Sequence, residues 1–329
     1  MKTARPRRDN VVEAVLHACR QDPVLGRDQP SRVVVAFSGG PDSSTLLHAL
    51  ARASSTLDLA LTAVHVDHGL RLTSAAEAPA VAAFAGQLGI PLELHRLGLR
   101  GRGEGAARQA RYHVLEDAAA RHGAATIALG HTADDQAETV LLHLLRGAGL
   151  EGLAAMAPRE GLRFRPLLGT WRRQVEAYCA RHGLSPVHDE TNDRLEFARN
   201  RVRHELIPLL EQRFNPRARQ ALVRLAQAAR DEHQVVVAAA QRWVGAHPAP
   251  HSLQAFNRLD VGVRVEVLRS VWASAARLGA PAGDSARLRQ AIEALAAGRP
   301  GMIQLGAGFE MAIYASDFEI RSAHVLTEP

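Results

Sequence analysis

Lysine is almost missing from this sequence. Lys2 is the one lysine, and the rest of its 40 Lys and Arg residues are arginines. Nucleotide loops of the G-x-x-x-x-G-K-[ST] kind set a lysine on the terminal phosphates, so that class of NTPase is excluded. Cysteine is scarce as well: Cys19 and Cys179 stand far apart and form no C-x-x-C pair. Neither a disulfide framework nor a cysteine metal cluster is implied, and a reducing, cytoplasmic setting fits. No run reaches the roughly 18 apolar residues of a membrane helix. Glu13 and His17 interrupt the apolar residues that follow the basic start (Lys2, Arg5, Arg7, Arg8), so a signal peptide and a membrane partner are not expected. Aromatic residues make up only 4 % of the chain, so base recognition is expected to lean on Arg and His planes more than on rings.

What is present suits two domains in a chain of 329 residues, with 47 % hydrophobic and 22 % charged residues. The net charge of +6 is compatible with a polyanionic partner without requiring one. The most informative stretch is Ser38-Gly39-Gly40-Pro41-Asp42-Ser43. It follows the apolar run Val33–Phe37 and precedes a helical pattern, Ser44–Leu50. A buried strand thus feeds a glycine turn that opens a helix. The N–H groups of such a turn and of the first helical residues converge on one place, and with the helix dipole they hold an anion. Ser38 and Ser43 add hydroxyl donors. Asp42 repels phosphate unless a cation lies between them, which makes it a candidate Mg²⁺ handle. The sequence lacks G-x-G-x-x-G at this place, so a dinucleotide loop does not fit. S-G-G-x-D-S resembles the pyrophosphate (PP) loop of ATP pyrophosphatases, which cleave ATP between the α and β phosphates.

Strand patterns at Arg32–Phe37, Leu59–Val66, Leu92–Leu97 and Thr126–Leu129 alternate with helical patterns at Ser43–Arg52, Ser74–Leu88, Glu104–His122 and Ala133–Arg146. This alternation predicts β-α-β units and a parallel sheet covered on both faces, with ligands at the carboxyl ends of the strands. From Pro216 to about Gly298 the chain turns alanine-rich and helical (Ala221–Trp243, Leu253–Leu278, Ser285–Ala297), and it ends in a small β meander. The fold class is therefore α/β: a catalytic domain over residues 1–213, then a mainly helical domain over 214–329.

Further candidates gather at the strand ends. In Gly130–Gly149, Thr132 is the expected N-cap, which sets Asp134 and Asp135 in the first helical turn. Asp134 and Asp135 lie four and three residues before Glu138, on one side of the helix; Leu141, Leu142, Leu144 and Leu145 form the expected buried stripe. Such crowded carboxylates call for Mg²⁺ (Asp42 and Asp134 being candidate ligands) or a cationic substrate between them. His65 is a candidate wall of an adenine pocket, although a histidine at a strand end is often only a satisfied core residue. Arg108 with Arg111, and the cluster Arg199, Arg201 and Arg203, suit phosphates. Surface salt-bridge faces are the plainer alternative for both sets.

Together these segments resemble the bacterial tRNA(Ile)-lysidine synthases through most of Val33–Leu210. The resemblance rests on SGGPDS, HVDHGLR (His65–Arg71), AARQARY (Ala106–Tyr112), the run from Gly130 to Met156, RPLL (Arg165–Leu168), DETND (Asp189–Asp193) and RNRVRHELIPLL (Arg199–Leu210). Beyond Pro216 the match is loose. Thr132 departs from the family, which often has a second histidine there, and the further C-terminal domain of the family's long form is not expected in this chain. The resemblance implies ATP as substrate, held by Ser38–Ser43 and His65, with Mg²⁺. It implies that the wobble cytidine of a CAU-anticodon tRNA(Ile) is adenylated, and that L-lysine then displaces AMP. Asp42, Asp134, Asp135 and Glu138 become the candidate catalytic residues; Arg108, Arg111, Arg199, Arg201 and Arg203 become the candidate tRNA contacts. Oligomeric state is left open, a homodimer being one option. Competing readings are a tRNA thiolase of the same superfamily, which would need more cysteine than this chain has, a small-molecule amidating ligase, and a non-catalytic RNA-binding module.

Overall fold

A computed structural model describes residues 10–25, 30–67, 74–98, 104–187, 195–275, 285–306 and 308–322. The chain divides into two compact units, Met1–Gln227 and Ala228–Pro329. HVDHGLR and DETND fall largely or wholly outside the described residues.

The first unit opens with α1 (Asn10–Gln21), which was not expected, and continues β1 (Ser31–Ala36), α2 (Pro41–Leu57), β2 (Leu59–Asp67), α3 (Ser74–Gln87), β3 (Leu92–Arg96), α4 (Glu104–His122), β4 (Thr126–Ala128) and α5 (Ala133–Leu145). Then follow α6 (Leu150–Leu153), a hairpin of β5 (Arg159–Glu160) and β6 (Arg163–Phe164), and α7 (Arg172–His182). The unit closes with α8 (Ala198–Arg201), a π-helical turn (Val202–Leu206), α9 (Ile207–Arg213) and the start of α10 (Ala218–Ala246). The sheet order is β3-β2-β1-β4-β6-β5, with β3, β2, β1, β4 and β6 parallel and β5 antiparallel at the edge. β1 explains the two-layer cover. Val33 and Val35 pack with Val11, Val15, Leu46 and Leu50 on one side. Val34 packs with Leu115, Ala118 and Ala119 on the other. A central strand buried on both faces needs this continuous β-branched run. The chain leaves β1 toward β2 on one side and later returns as β4 on the other. The order therefore reverses between β1 and β4, the place where open parallel sheets bind ligands.

The second unit holds the rest of α10, then β7 (His251–Ser252), α11 (Leu253–Asn257), α12 (Val261–Ala275), α13 (Ser285–Ala297), β8 (Gly301–Gly306), β9 (Phe309–Ile313) and β10 (Asp317–Ser322). Its strands form an antiparallel sheet in the order β7-β10-β9-β8, the expected meander with a short added strand. The single helix expected over Leu253–Leu278 is broken. The Arg264 guanidinium donates to the carbonyls of Asn257 (2.8 Å) and Leu259 (2.7 Å), satisfying the end of α11 from the side. The division between units falls inside α10 rather than at the change of composition near 214. Leu222 and Val223, in the first turns of α10, pack with Ala137, Leu141, Val202 and Ile207, which keeps this stretch with the first unit.

Candidate active site at the sheet switch point

The glycine loop lies at the carboxyl end of β1, as expected. Gly40 caps α2 in an extended conformation and Pro41 occupies the first turn, where its missing N–H costs nothing. Gly39 sits at φ +86, and a Cβ there would come within 3.0 Å of Val81. Glycine is required at this position on both counts. The hydroxyls fix the loop: Ser38 and Ser43 Oγ atoms lie 3.1 Å apart, Ser43 donates to the Gly40 carbonyl (3.0 Å) and Ser44 to that of Gly39 (3.1 Å). The first-turn N–H groups of Asp42 and Ser43 have no intrahelical carbonyl to meet, so they are available to an anion.

The loop after β4 closes on this one. A Cβ on Gly130 would lie 3.2 Å from the Asp42 carbonyl carbon and the Ser43 nitrogen. The two loops flank the switch point in close approach, and a side chain at position 130 would crowd the α2 backbone. Thr132 caps α5 as predicted, within a full capping box: its N–H and hydroxyl both donate to Asp135 Oδ2 (2.8 Å each), and the Asp135 N–H returns to Thr132 Oγ1 (3.4 Å). The hydroxyl of Thr132 is thereby committed to the cap. Leu144 and Leu145 are not part of a buried stripe; they are 49 % and 68 % exposed. The buried face of α5 is instead Gln136, Ala137, Glu138, Val140 and Leu141, because α5 turns its acidic side inward.

The predicted carboxylates come together, but the chain itself supplies their counter-ions. Glu138 is buried and accepts from Arg203 Nε (2.6 Å), Arg203 Nη2 (3.1 Å) and Arg199 Nε (2.8 Å). Asp135 Oδ1 accepts from Arg199 (2.9 Å) and Arg203 (3.3 Å). Burial alone would raise the Asp135 pKa. Arg199, His131, the Thr132 backbone and Arg203 outweigh burial and hold it below the usual range. Asp134 faces other partners: the Arg172 N–H at 2.7 Å and Arg219 Nη1 at 2.9 Å. Asp42 Oδ2 meets Arg172 Nη1 at 2.5 Å, while its Oδ1 is buried with no hydrogen-bond partner among the described residues. Burial, only partly opposed by Arg172, pushes the Asp42 pKa up to about 6.

Other predicted residues take less direct places. His65 is buried, with Nδ1 2.9 Å from the Phe37 carbonyl, so it braces the strand end from which the loop departs. Arg108 and Arg111 flank the Tyr112 ring, 5.2 and 5.6 Å from its centroid. Arg201 is exposed and donates to the Leu195 and Glu196 carbonyls. Arg199 and Arg203 are not an open basic clamp. They lie on either side of the start of the π turn, which ends where Pro208 withholds the N–H that a regular helix would use.

Sequence reasoning missed Arg172, Arg219 and His131. The two arginines arrive from α7 and α10, and no local signal marks them. The Nδ1 of His131 is buried and unpartnered among the described residues. Burial is the main cause holding its pKa down to about 3, with Arg165, Arg199 and Arg108 adding to it against Asp135. The Gly-His-Thr run before the helix was the available signal. No cluster of three His, Cys, Asp or Glu residues disposed to hold a metal occurs among the described residues. Asp42 nonetheless suits Mg²⁺, which is often held by one carboxylate together with substrate phosphates, and its unpartnered oxygen is open for that. Asp134 fits less well, since both of its oxygens are already bonded.

The sequence profile of a family described as a PP-loop domain matches residues 10–210. A tRNA(Ile)-lysidine synthase of Thermobifida fusca is 43 % identical over 265 residues, covering 78 % of this chain and 81 % of that protein. One from Burkholderia mallei is 39 % identical over 311 residues, covering 87 % of this chain and 61 % of that longer protein. Among solved structures, the U34-tRNA thiolase NcsA of Methanococcus maripaludis with its [4Fe-4S] cluster shares the fold, at a TM-score of 0.55, 18 % identity and coverage of 67 % of this chain and 80 % of that one. The cysteines here do not suit sulfur chemistry: both are buried, and burial raises both thiol pKa values, that of Cys19 to about 12. A PP-loop profile spanning most of the first unit, a relative matched along four-fifths of its length, and a phosphate cradle set beside an acidic helix agree: this chain belongs to the tRNA(Ile)-lysidine synthase family of PP-loop proteins.

Proposed function

We propose that this protein ligates L-lysine to the wobble cytidine of a CAU-anticodon tRNA(Ile) in the cytoplasm, with ATP converted to AMP and diphosphate. The cytidine 2-carbonyl oxygen attacks the α-phosphorus and diphosphate leaves. The lysine ε-amine then attacks the activated ring carbon and AMP leaves with the former carbonyl oxygen. One proton is released from the amine to a carboxylate of the acidic helix. An amide-like carbonyl is a poor electrophile, and adenylation turns its oxygen into a good leaving group.

One observation carries this reading. The close approach of Gly130 to Asp42 and Ser43 joins the anion cradle to the carboxylates of α5 at the switch point. The Gly39–Gly40 turn, whose shape the Ser38 and Ser43 hydroxyls fix, and the N–H groups at the start of α2 hold the phosphates. Asp42 would hold Mg²⁺, which when bound supplies charge neutralisation for the departing diphosphate. Asp135 and Glu138 hold Arg199 and Arg203 in place beside the cradle. Arg108, Arg111 and Arg201 hold RNA phosphates, with residues 214–329 as the tRNA-binding domain.

The test is to incubate the protein with ATP, Mg²⁺, labelled lysine and a CAU-anticodon tRNA transcript. Label in the RNA with equimolar AMP is expected. Release of ADP and orthophosphate would overturn the reading.

A further inference from the structure

All Phe, Trp and Tyr side chains of this chain are among the described residues, and only Phe214 and Tyr314 are exposed. The Tyr314 hydroxyl donates to Glu319 at 2.8 Å, and Glu319 pairs with Arg321 at 3.5 Å, so this ring is engaged within its own sheet. Phe214 is different. At 76 % it is the most exposed large apolar side chain among the described residues, and it stands on the corner between α9 and α10 with exposed Arg213 and Arg217 on either side.

The corner is built to hold still. The N–H groups of Phe214 and Asn215 both donate to the Leu210 carbonyl, at 3.1 and 2.8 Å. Asn215 Oδ1 accepts from the Arg217 N–H at 2.9 Å and the Asn215 carbonyl from the Ala218 N–H at 2.9 Å, while Pro216 restricts the bend. Two residues on, Arg219 ties the corner to the acidic site through Asp134 (2.9 Å) and to α9 through Glu211 (3.5 Å). A ring on a braced corner, between two exposed arginines and joined through Arg219 to Asp134 of the acidic helix, matches the way proteins hold an unpaired nucleobase: a face to stack on and guanidinium groups for the adjoining phosphates.

We infer that Phe214 is a stacking platform for an unpaired anticodon-loop base beside the reacting cytidine, with Arg213 and Arg217 on the flanking phosphates. This rests on the RNA substrate proposed above. A chain so poor in rings places its one open phenyl group among arginines because stacking accepts any base while the site itself selects the cytidine.

The experiment uses the full chain and a CAU anticodon stem-loop RNA, read by fluorescence anisotropy. Phe214→Ala is expected to weaken binding about fivefold to a hundredfold. Phe214→Trp is expected to keep the affinity, and its added indole emission should be quenched by RNA. Unchanged affinity in Phe214→Ala, or unquenched emission in Phe214→Trp, overturns the inference. So does a Phe214→Ala chain that sediments as a smaller species with RNA binding intact, which would make the corner an interface between copies. If Phe214→Ala does not fold, quenching in the Trp variant decides. RNA binding through Phe214 without lysine incorporation removes the reaction proposed above and leaves the platform. Lysine incorporation with Phe214→Ala binding unchanged removes the platform alone.

Discussion

Glu138→Gln separates a self-neutralised acidic site from an open one. The Glu138 side chain is 1 % exposed and takes three hydrogen bonds from Arg199 and Arg203, themselves 29 % and 31 % exposed. Glutamine keeps the shape but removes the charge, and its amide nitrogen meets donors instead of acceptors. Removing one partner of a fully buried ion pair costs about 3–5 kcal/mol, mostly because the other charge is stranded. Here both guanidinium groups keep Asp135 and some water, so the expected loss is about 2–3 kcal/mol. Two-unit unfolding blurs a single ΔG. Trp171 is the one tryptophan of the first unit, so a Trp243→Phe/Trp272→Phe background reports that unit alone. Urea titration of Trp171 emission should show a lower midpoint at unchanged slope. A loss below about 0.5 kcal/mol, the scale of an ordinary surface change, would refute the buried network. Were Arg199 and Arg203 an RNA clamp merely restrained by Glu138, the variant would instead bind RNA more tightly at unchanged stability.

Three further outcomes follow from the same geometry. The folded chain holds the Asp42 proton more tightly than the unfolded chain does, so stability should fall as pH rises from about 4 to about 6. Asp42→Asn should flatten that part of the urea midpoint-versus-pH curve, on the order of 3 kcal/mol, and abolish AMP formation; an unchanged curve would show that Asp42 is not held in a desolvated place. Gly130→Ala drives a methyl group into the α2 backbone at 3.2 Å, so ATP affinity measured calorimetrically should drop at least tenfold with RNA binding intact, and wild-type ATP affinity would show that the two loops move independently. Arg201→Ala should lower the slope of log affinity against log salt for tRNA by about one unit. Arg203→Ala should chiefly destabilise the first unit, and equal salt slopes for the two variants would contradict their different placement.

The sequence by itself determined much of this protein. The Val33–Val35 run required a strand covered on both faces, Gly39-Gly40-Pro41 required a turn opening a helix, and Thr132 with Asp135 required a capped helix start. Each is a local matter of dihedral preference, periodicity or hydrogen bonds within a few residues, so each can be read from neighbours along the chain. The two-residue strands of the β5–β6 hairpin are too short to show a period, and α11 parts from α12 because Arg264 reaches back to its carbonyls. The charge state of the site was decided only by tertiary structure. Asp42, Asp134, Asp135 and Glu138 read as an uncompensated acidic face until α7, α8, the π turn and α10 bring Arg172, Arg199, Arg203 and Arg219 onto them. An ion pair depends on distance in space and on the water that folding removes, and neither is written in the spacing of residues along a strand or a helix.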